Sequence, residues 1–381
     1  MIDPFAPSIR GLADPDPARE ALRAAGPIVK VAAPYGGSVW IVTEESLARE
    51  VLAHPGIAKD PANAPESWDP RRAALEPPAA AQPSLTTLDG PAHTELRRAH
   101  APLLNARRIA AQSDRVHELA RELLTELAGG PQPVDLTAGF TVRYPLTVLL
   151  DLLGIPLDRV GMATEACRLM FDPEPGAQGR AMAELARLAE AGLDGARGGL
   201  AAELRERVPE GTTREQLLYY LFGLIFAGQL TTDAALGFLV ARALTAPAGA
   251  DELVRETLRD HPPAPYTLWR FTTAEIELAG ELVPARSPVL VDIQGINADP
   301  GREPGPDLTF GAGAHFCVGA QLAQLELRAV ADVLAADFPG ARLAIPYGEL
   351  RQQTYGGIMG VRLTALPVNL GAGPAGPPPR S

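Results

Sequence analysis

Apolar residues along this chain fall into two regimes. From His93 onward they recur at i, i+3, i+4 and i+7, the spacing that gathers them on one helix face. The pattern predicts helices over 91–103, 107–129, 139–153, 157–171, 178–198, 213–245, 251–260 and 318–337. Before His93 the pattern is shorter and more broken. Pro17–Ala25 reads as a short helix, and Glu44–Ala53 as another. Val29–Ala33 and Ser38–Thr43 flank Tyr35-Gly36-Gly37 and read as a β-hairpin. Residues 54–87 are rich in Pro and Ala without a period, which suggests a long loop of the kind that often carries function. Late in the chain Ile276, Leu278, Leu282 and Val283, then Val289–Val291, give short strands around turns. The fold class is therefore mainly α with a small β region. No repeat or central linker divides it. Residues 1–370 are expected to form one domain, with 371–381, GAGPAGPPPRS, a disordered tail.

Composition narrows the function. The chain has 381 residues, 46% hydrophobic and 21% charged, enough to bury a large core. Its net charge of −12 argues against a general nucleic-acid binder, which would be basic. The N-terminus lacks a basic stretch followed by an apolar run, so no secretion signal is expected. The most apolar run, Leu217–Gly228, spans about a dozen residues against the ~20 of a membrane span. A soluble, cytoplasmic protein with no membrane partner is the expectation. Two cysteines, Cys167 and Cys317, make neither a disulfide scaffold nor a CxxC zinc site.

The predicted 213–245 helix would extend about 50 Å. Thr212 stands three residues before Glu215, a capping-box start. Its centre reads Phe226-Ala227-Gly228-Gln229-Leu230-Thr231-Thr232-Asp233. Glycine costs about 1 kcal/mol in a helix interior relative to alanine. Gly228 is either a packing glycine of a buried helix or the point where something flat comes close.

The sharpest feature is Phe310-Gly311-Ala312-Gly313-Ala314-His315-Phe316-Cys317-Val318-Gly319, which runs into a helical stretch. The glycines permit a tight turn. They leave the cysteine at a helix start, where free N–H groups and the macrodipole favour a thiolate. Such a thiolate can ligate a metal or act as a nucleophile. Cys167 has no such setting and reads as structural.

This segment resembles the haem-binding signature of the cytochrome P-450 family, F-G-x-G-x-H-x-C-x-G, at every fixed position. The resemblance implies haem b, with Cys317 as the iron ligand between a long distal helix and a proximal helix, and Phe310, Gly311 and Gly319 shaping the loop. Further motifs follow in order. Glu256 and Arg259 match the family's E-x-x-R, a structural lock at helical i, i+3 spacing. Arg270 matches an arginine that binds a haem propionate. His93 and Arg97 match an H-x-x-x-R whose i, i+4 spacing aims both at a propionate, and His315 matches a histidine that does the same. Buried carboxylates require such cationic or hydrogen-bonding partners.

The centre of the long helix resembles the family's oxygen-activating A-G-x-(D/E)-T-T. Gly228 then lets haem and oxygen approach, Thr231 matches the alcohol used in oxygen activation, and Thr232 is its neighbour. The acid position is Leu230, which cannot relay a proton. Gln229 and Asp233 face other directions on a helix and do not obviously replace it. The chain is also short between Thr231 and Glu256 and between Pro300 and Phe310, beside the surface where an electron donor docks in this family.

The resemblance implies a monooxygenase that hydroxylates or epoxidises a mainly apolar small molecule, within secondary metabolism, using O₂ and electrons from a separate ferredoxin- or flavodoxin-type partner. No flavin- or nicotinamide-binding fingerprint is fused to it. Oxidative cross-linking of aromatic groups on a peptide or similar scaffold is the alternative. A catalytically weak haem-binding protein is a third reading. Substrate contacts are expected from Trp68, Leu85, Met170, Phe171, Phe222, Phe226, Leu230, Tyr266, Leu268, Ile358 and Met359.

Overall fold

A 30-residue helix, Arg214–Ala243, forms the axis of the helical part of the molecule. The computed structural model describes residues 3–69, 82–170, 174, 176–195, 198–246, 248–302, 305–358 and 360–371. The axial helix is capped one residue later than the sequence suggests. The Thr213 hydroxyl accepts from the Gln216 N–H at 3.2 Å, and the Gln216 side-chain oxygen accepts from the Thr213 N–H at 2.9 Å. Glutamine serves because the reciprocal bond needs only an acceptor oxygen. By length and composition this helix could span a membrane, with a mean hydropathy of 1.5 over its most apolar stretch. That corrects the shorter apolar run read from sequence. However, 67% of the stretch is buried inside the protein. A helix apolar all round is a core helix when neighbours cover it. Here Arg143–Leu153, Ala177–Asp194, Ala250–Asp260 and Ala320–Asp337 do so.

The remaining helices follow the apolar period with local breaks. The 107–129 prediction divides into Ala106–Ala110, capped by the Asn105 side chain, and Ser113–Ala128. A π turn over Thr137–Thr141 leads into Arg143–Leu153. Gly90–His100, Val160–Leu169 and Ala177–Asp194 are shorter than expected, and Leu200–Arg207 is an additional helix. The last hid behind Gly198-Gly199, which reads as a breaker when it is in fact the entry to a new helix.

The hairpin Ile28–Ala32 and Ser38–Val42 belongs to a five-stranded sheet. Ser38–Val42 runs parallel to Pro288–Val291, which pairs antiparallel with Arg270–Thr272. At the edge, Ile57–Ala58 pairs with Arg270–Thr272 in the register Ile57 with Thr272 and Ala58 with Phe271. Thus the predicted long loop holds a short strand, and its residues 70–81 lie outside the described set. Phe5, Tyr35, Trp68, Tyr266, Trp269, Phe271 and Ile358 share a core on this sheet. The expected 371–381 tail lies outside the described residues except for Gly371.

Candidate active site

The Cys317 loop is fixed by its backbone. Gly311 and Gly313 adopt φ of 72° and 70°, the left-handed region that glycine enters without strain. A Cβ on Gly313 would stand 3.1 Å from the Leu52 carbonyl oxygen, so the loop lies directly against the end of the Glu45–Ala53 helix. The Cys317 N–H donates to the Phe310 carbonyl at 2.9 Å, closing the turn. Cys317 is exposed and stands just before Ala320–Asp337. Although one side is accessible, the thiol is otherwise enclosed by protein, and that desolvation pushes its pKa up, opposed by the Gly319 and Ala320 N–H groups and by Arg97. Arg97 donates to the Phe316 carbonyl at 2.6 Å. Cys167 is buried, and burial raises its thiol to about 12, the behaviour of a packing residue.

Four of the sequence-predicted polar residues converge beside this loop. The His93 and His315 rings lie 4.1 Å apart, and Arg97 is one turn along from His93. Arg270 is buried at 4% exposure. The His93 Nε2 and Arg270 Nε atoms are buried with no hydrogen-bond partner. Burial, then the charges of His315 and Arg97, lower His93 to about 4. Burial lowers Arg270 to about 10, against the attraction of Asp89.

Two members of this cluster carry no sequence motif. Asp89 accepts from the Lys59 N–H at 2.6 Å and the Asp60 N–H at 3.2 Å, and its other oxygen stands 3.1 Å from His315 Nε2. Burial pushes the Asp89 carboxyl up, but the His315 and backbone hydrogen bonds outweigh it and leave its pKa below the ordinary value. His315 Nδ1 faces the Leu85 carbonyl at 3.3 Å, so both ring nitrogens meet acceptors. Lys59 is buried. The only sequence signal for either was position. Lys59 and Asp89 lie in the Pro-rich segment and at the entry to the Gly90–His100 helix.

The long helix opens one face. Ala227 is exposed and Thr231 partly so, whereas Thr232 to Ala241 are all buried. The Thr231 hydroxyl donates to the Ala227 carbonyl at 2.8 Å. Gly228 takes its packing role: a Cβ there would meet Leu149 at 3.1 Å. Leu230 is half-buried. Gln229 donates to Asp233 at 3.2 Å, and Asp233 pairs with Arg362, so both are committed elsewhere. Thr232 donates to Glu326 at 3.3 Å, and burial pushes that carboxyl well above its ordinary range.

The E-x-x-R residues are not paired with each other. Glu256 pairs with Arg242 of the long helix at 2.7 Å, and Arg259 with Asp260 at 2.8 Å. Arg242 also holds Asp260 at 2.5 Å, so the four groups form one network. The partner from a packed helix wins over the i, i+3 neighbour.

The expected substrate contacts divide. Phe222 and Phe226 stack at 5.6 Å on the long helix, continuing from Tyr219. Trp68, Tyr266 and Ile358 are packed into the sheet core, Trp68 against Phe271 at 5.3 Å and Tyr266 against Phe5 at 5.6 Å. Leu85 packs on the helical core, Leu268 is 39% exposed, and Met170 is half-buried. Phe171 and Met359 lie outside the described residues.

No family model matches the chain. It is 39% identical to the cytochrome P-450 monooxygenase DoxA of Streptomyces sp. strain C5, across 96% of this chain and 97% of that protein. It is 28% identical to the mycinamicin IV hydroxylase/epoxidase of Micromonospora griseorubida, across 85% and 88%. The solved structure of CYP154C4 from Streptomyces sp. W2061 superposes with a TM-score of 0.81 at 28% identity, across 96% and 98%.

Proposed function

The chain belongs to the cytochrome P-450 monooxygenase family, haem-b oxidoreductases, and from that premise we propose that Cys317 is its axial thiolate and Thr231 its oxygen-side alcohol. The residues present fit a haem. A porphyrin brings one metal needing a thiolate and two carboxylates at one edge. The exposed Cys317 thiol answers the first, and the unpartnered His93 Nε2 and Arg270 Nε answer the second. That orphaned pair is the observation carrying the reading, because buried polar groups left without partners are costly unless a ligand's acceptors join them.

With its thiolate ligand, haem supplies the electron-rich iron that favours O–O cleavage. This chain's residues do the rest. Cys317 provides the thiolate, and the Gly319 and Ala320 N–H groups stabilise its charge. His93, Arg97 and Arg270 hold the carboxylate edge, and His315 joins them by turning a ring nitrogen away from the Leu85 carbonyl. Thr231 can turn its hydroxyl from the Ala227 carbonyl toward the exposed side of the helix. Leu230 relays no proton, so water or a substrate hydroxyl delivers it there. Glu256, Arg242, Asp260 and Arg259 lock the helices behind the site. Phe226, partly buried on the long helix and backed by the buried Phe222, offers flat apolar surface to the substrate.

The reaction we propose is hydroxylation or epoxidation of a mainly apolar secondary metabolite, with a cytoplasmic ferredoxin- or flavodoxin-type donor. The hydroxylase/epoxidase among its relatives supports this. The test is the spectrum of the reduced protein with carbon monoxide. Wild type should give the long-wavelength Soret band of thiolate-ligated haem, and Cys317→Ala should lose it. A variant that keeps the band overturns the ligand assignment. A product gaining one oxygen supports insertion, and one losing two hydrogens without oxygen supports cross-linking instead.

A further inference from the structure

We infer that Lys59 is a fifth donor to the haem carboxylates, with its backbone positioned by Asp89. This rests on the haem reading above and adds a residue that none of the motifs contains.

Sheet register carries the first part. Ile57 pairs with Thr272 and Ala58 with Phe271, so the next step brings Lys59 opposite Arg270. Like charges directly opposed across strands are destabilising. Both side chains are also buried, Lys59 at 7% and Arg270 at 4% exposure. Lysine is rarely buried without a partner.

Among the described residues, Asp89 is the carboxylate near Lys59, and it is already used. Asp89 spends one oxygen on the Lys59 and Asp60 N–H groups and the other on His315. Among the described residues, no carboxylate makes an ion pair with the Lys59 ammonium. Among the described residues, the cations Lys59, Arg270 and Arg97 and the rings of His93 and His315 therefore share a single nearby acid, Asp89. Burial, then Arg270, drive the lysine down to about 7, against the pull of Asp89. A purely structural lysine would be replaceable by an apolar residue at no cost to ligand binding. A lysine that meets two incoming carboxylates is one of the few ways to make this excess of positive groups favourable. Asp89 then does double duty. It fixes the Lys59 backbone from one oxygen and the His315 ring from the other, so both donors are set by one side chain.

The test is the rate of haem transfer from holoenzyme to excess haem-scavenging apoglobin. Wild type, Lys59→Met and Lys59→Arg are each loaded with ordinary haem and with haem dimethyl ester, whose carboxylates are blocked. Lys59→Met should lose ordinary haem about tenfold faster than wild type, the loss of one charge-assisted hydrogen bond. Lys59→Arg should stay within about twofold, since it keeps the cation. With the ester, the gap between Met and wild type should close. Equal loss rates with ordinary haem, or the same acceleration with the ester, would overturn the inference, the latter because it marks a packing defect. Wild type that gives no thiolate-haem spectrum would instead sink the underlying haem-site reading.

Discussion

Asp233 with Arg362, and Lys59 with Arg270, are two pairs of buried charged groups with opposite fates. Asp233 meets Arg362 and also receives the Gln229 amide, so the first pair is closed within the protein. Lys59 and Arg270 carry the same sign, and the nearby Asp89 is committed to N–H groups and His315. A closed pair holds elements together: here it ties the long helix to the strand Val361–Leu363. An open cluster of one sign is a binding edge, stable only when its anion arrives. Burial alone does not distinguish scaffold from site. Charge balance within reach does.

The largest test is to break the closed pair. Arg362→Leu leaves Asp233 buried without its cation, which should cost about 3–5 kcal/mol of stability. Urea unfolding of the holoenzyme measures it, and a loss below about 1 kcal/mol would mean the pair is not structural. The open cluster predicts a pH effect. Before haem binds, Lys59 titrates at about 7 despite the pull of Asp89, and bound propionates raise that value. Between the two values, the haem-bound form holds one proton more. Raising pH from 7 to 9 should therefore weaken haem binding, by at most about tenfold per unit. The groups facing Lys59 do not imitate this. Arg270 titrates near 10, His93 near 4, His315 below its ordinary value and Asp89 below the ordinary carboxylate. Haem competition at pH 7, 8 and 9 reads the slope, and Lys59→Arg should flatten it. The smallest effect is at Leu230, one turn short of Asp233. Leu230→Glu should lower the fraction of electrons lost as peroxide severalfold if proton supply limits coupling. An unchanged fraction means that water or substrate already suffices.

Sequence alone singled out the candidate site where chemistry imposes a spacing. His93 and Arg97 at i, i+4, the glycines around Cys317 and the run after Gly228 are local patterns, and a local pattern survives without coordinates. Lys59 and Asp89 were not legible because they meet through strand register and a loop crossing, thirty residues apart in a segment with no period. The same limit explains Glu256. Its i, i+3 partner was visible, but the stronger partner, Arg242, arrives from another helix. Helix positions were largely readable because apolar spacing encodes them. Their ends were less so: Gln112 and Gly198-Gly199 interrupt or restart a helix through packing that the pattern does not record.

The contact of Gly313 with Leu52 has a further meaning in time. The cysteine loop rests on a helix made near the start of synthesis, and the donors beside it come from residues 59 to 97, 270 and 315. The set is complete only once the chain has passed Cys317, when most of it exists. Contacts this distant along the chain form slowly. On the proposed ligand assignment, cofactor capture is thus a late act of assembly, and a product truncated before Cys317 would carry most of the helices yet lack the thiolate.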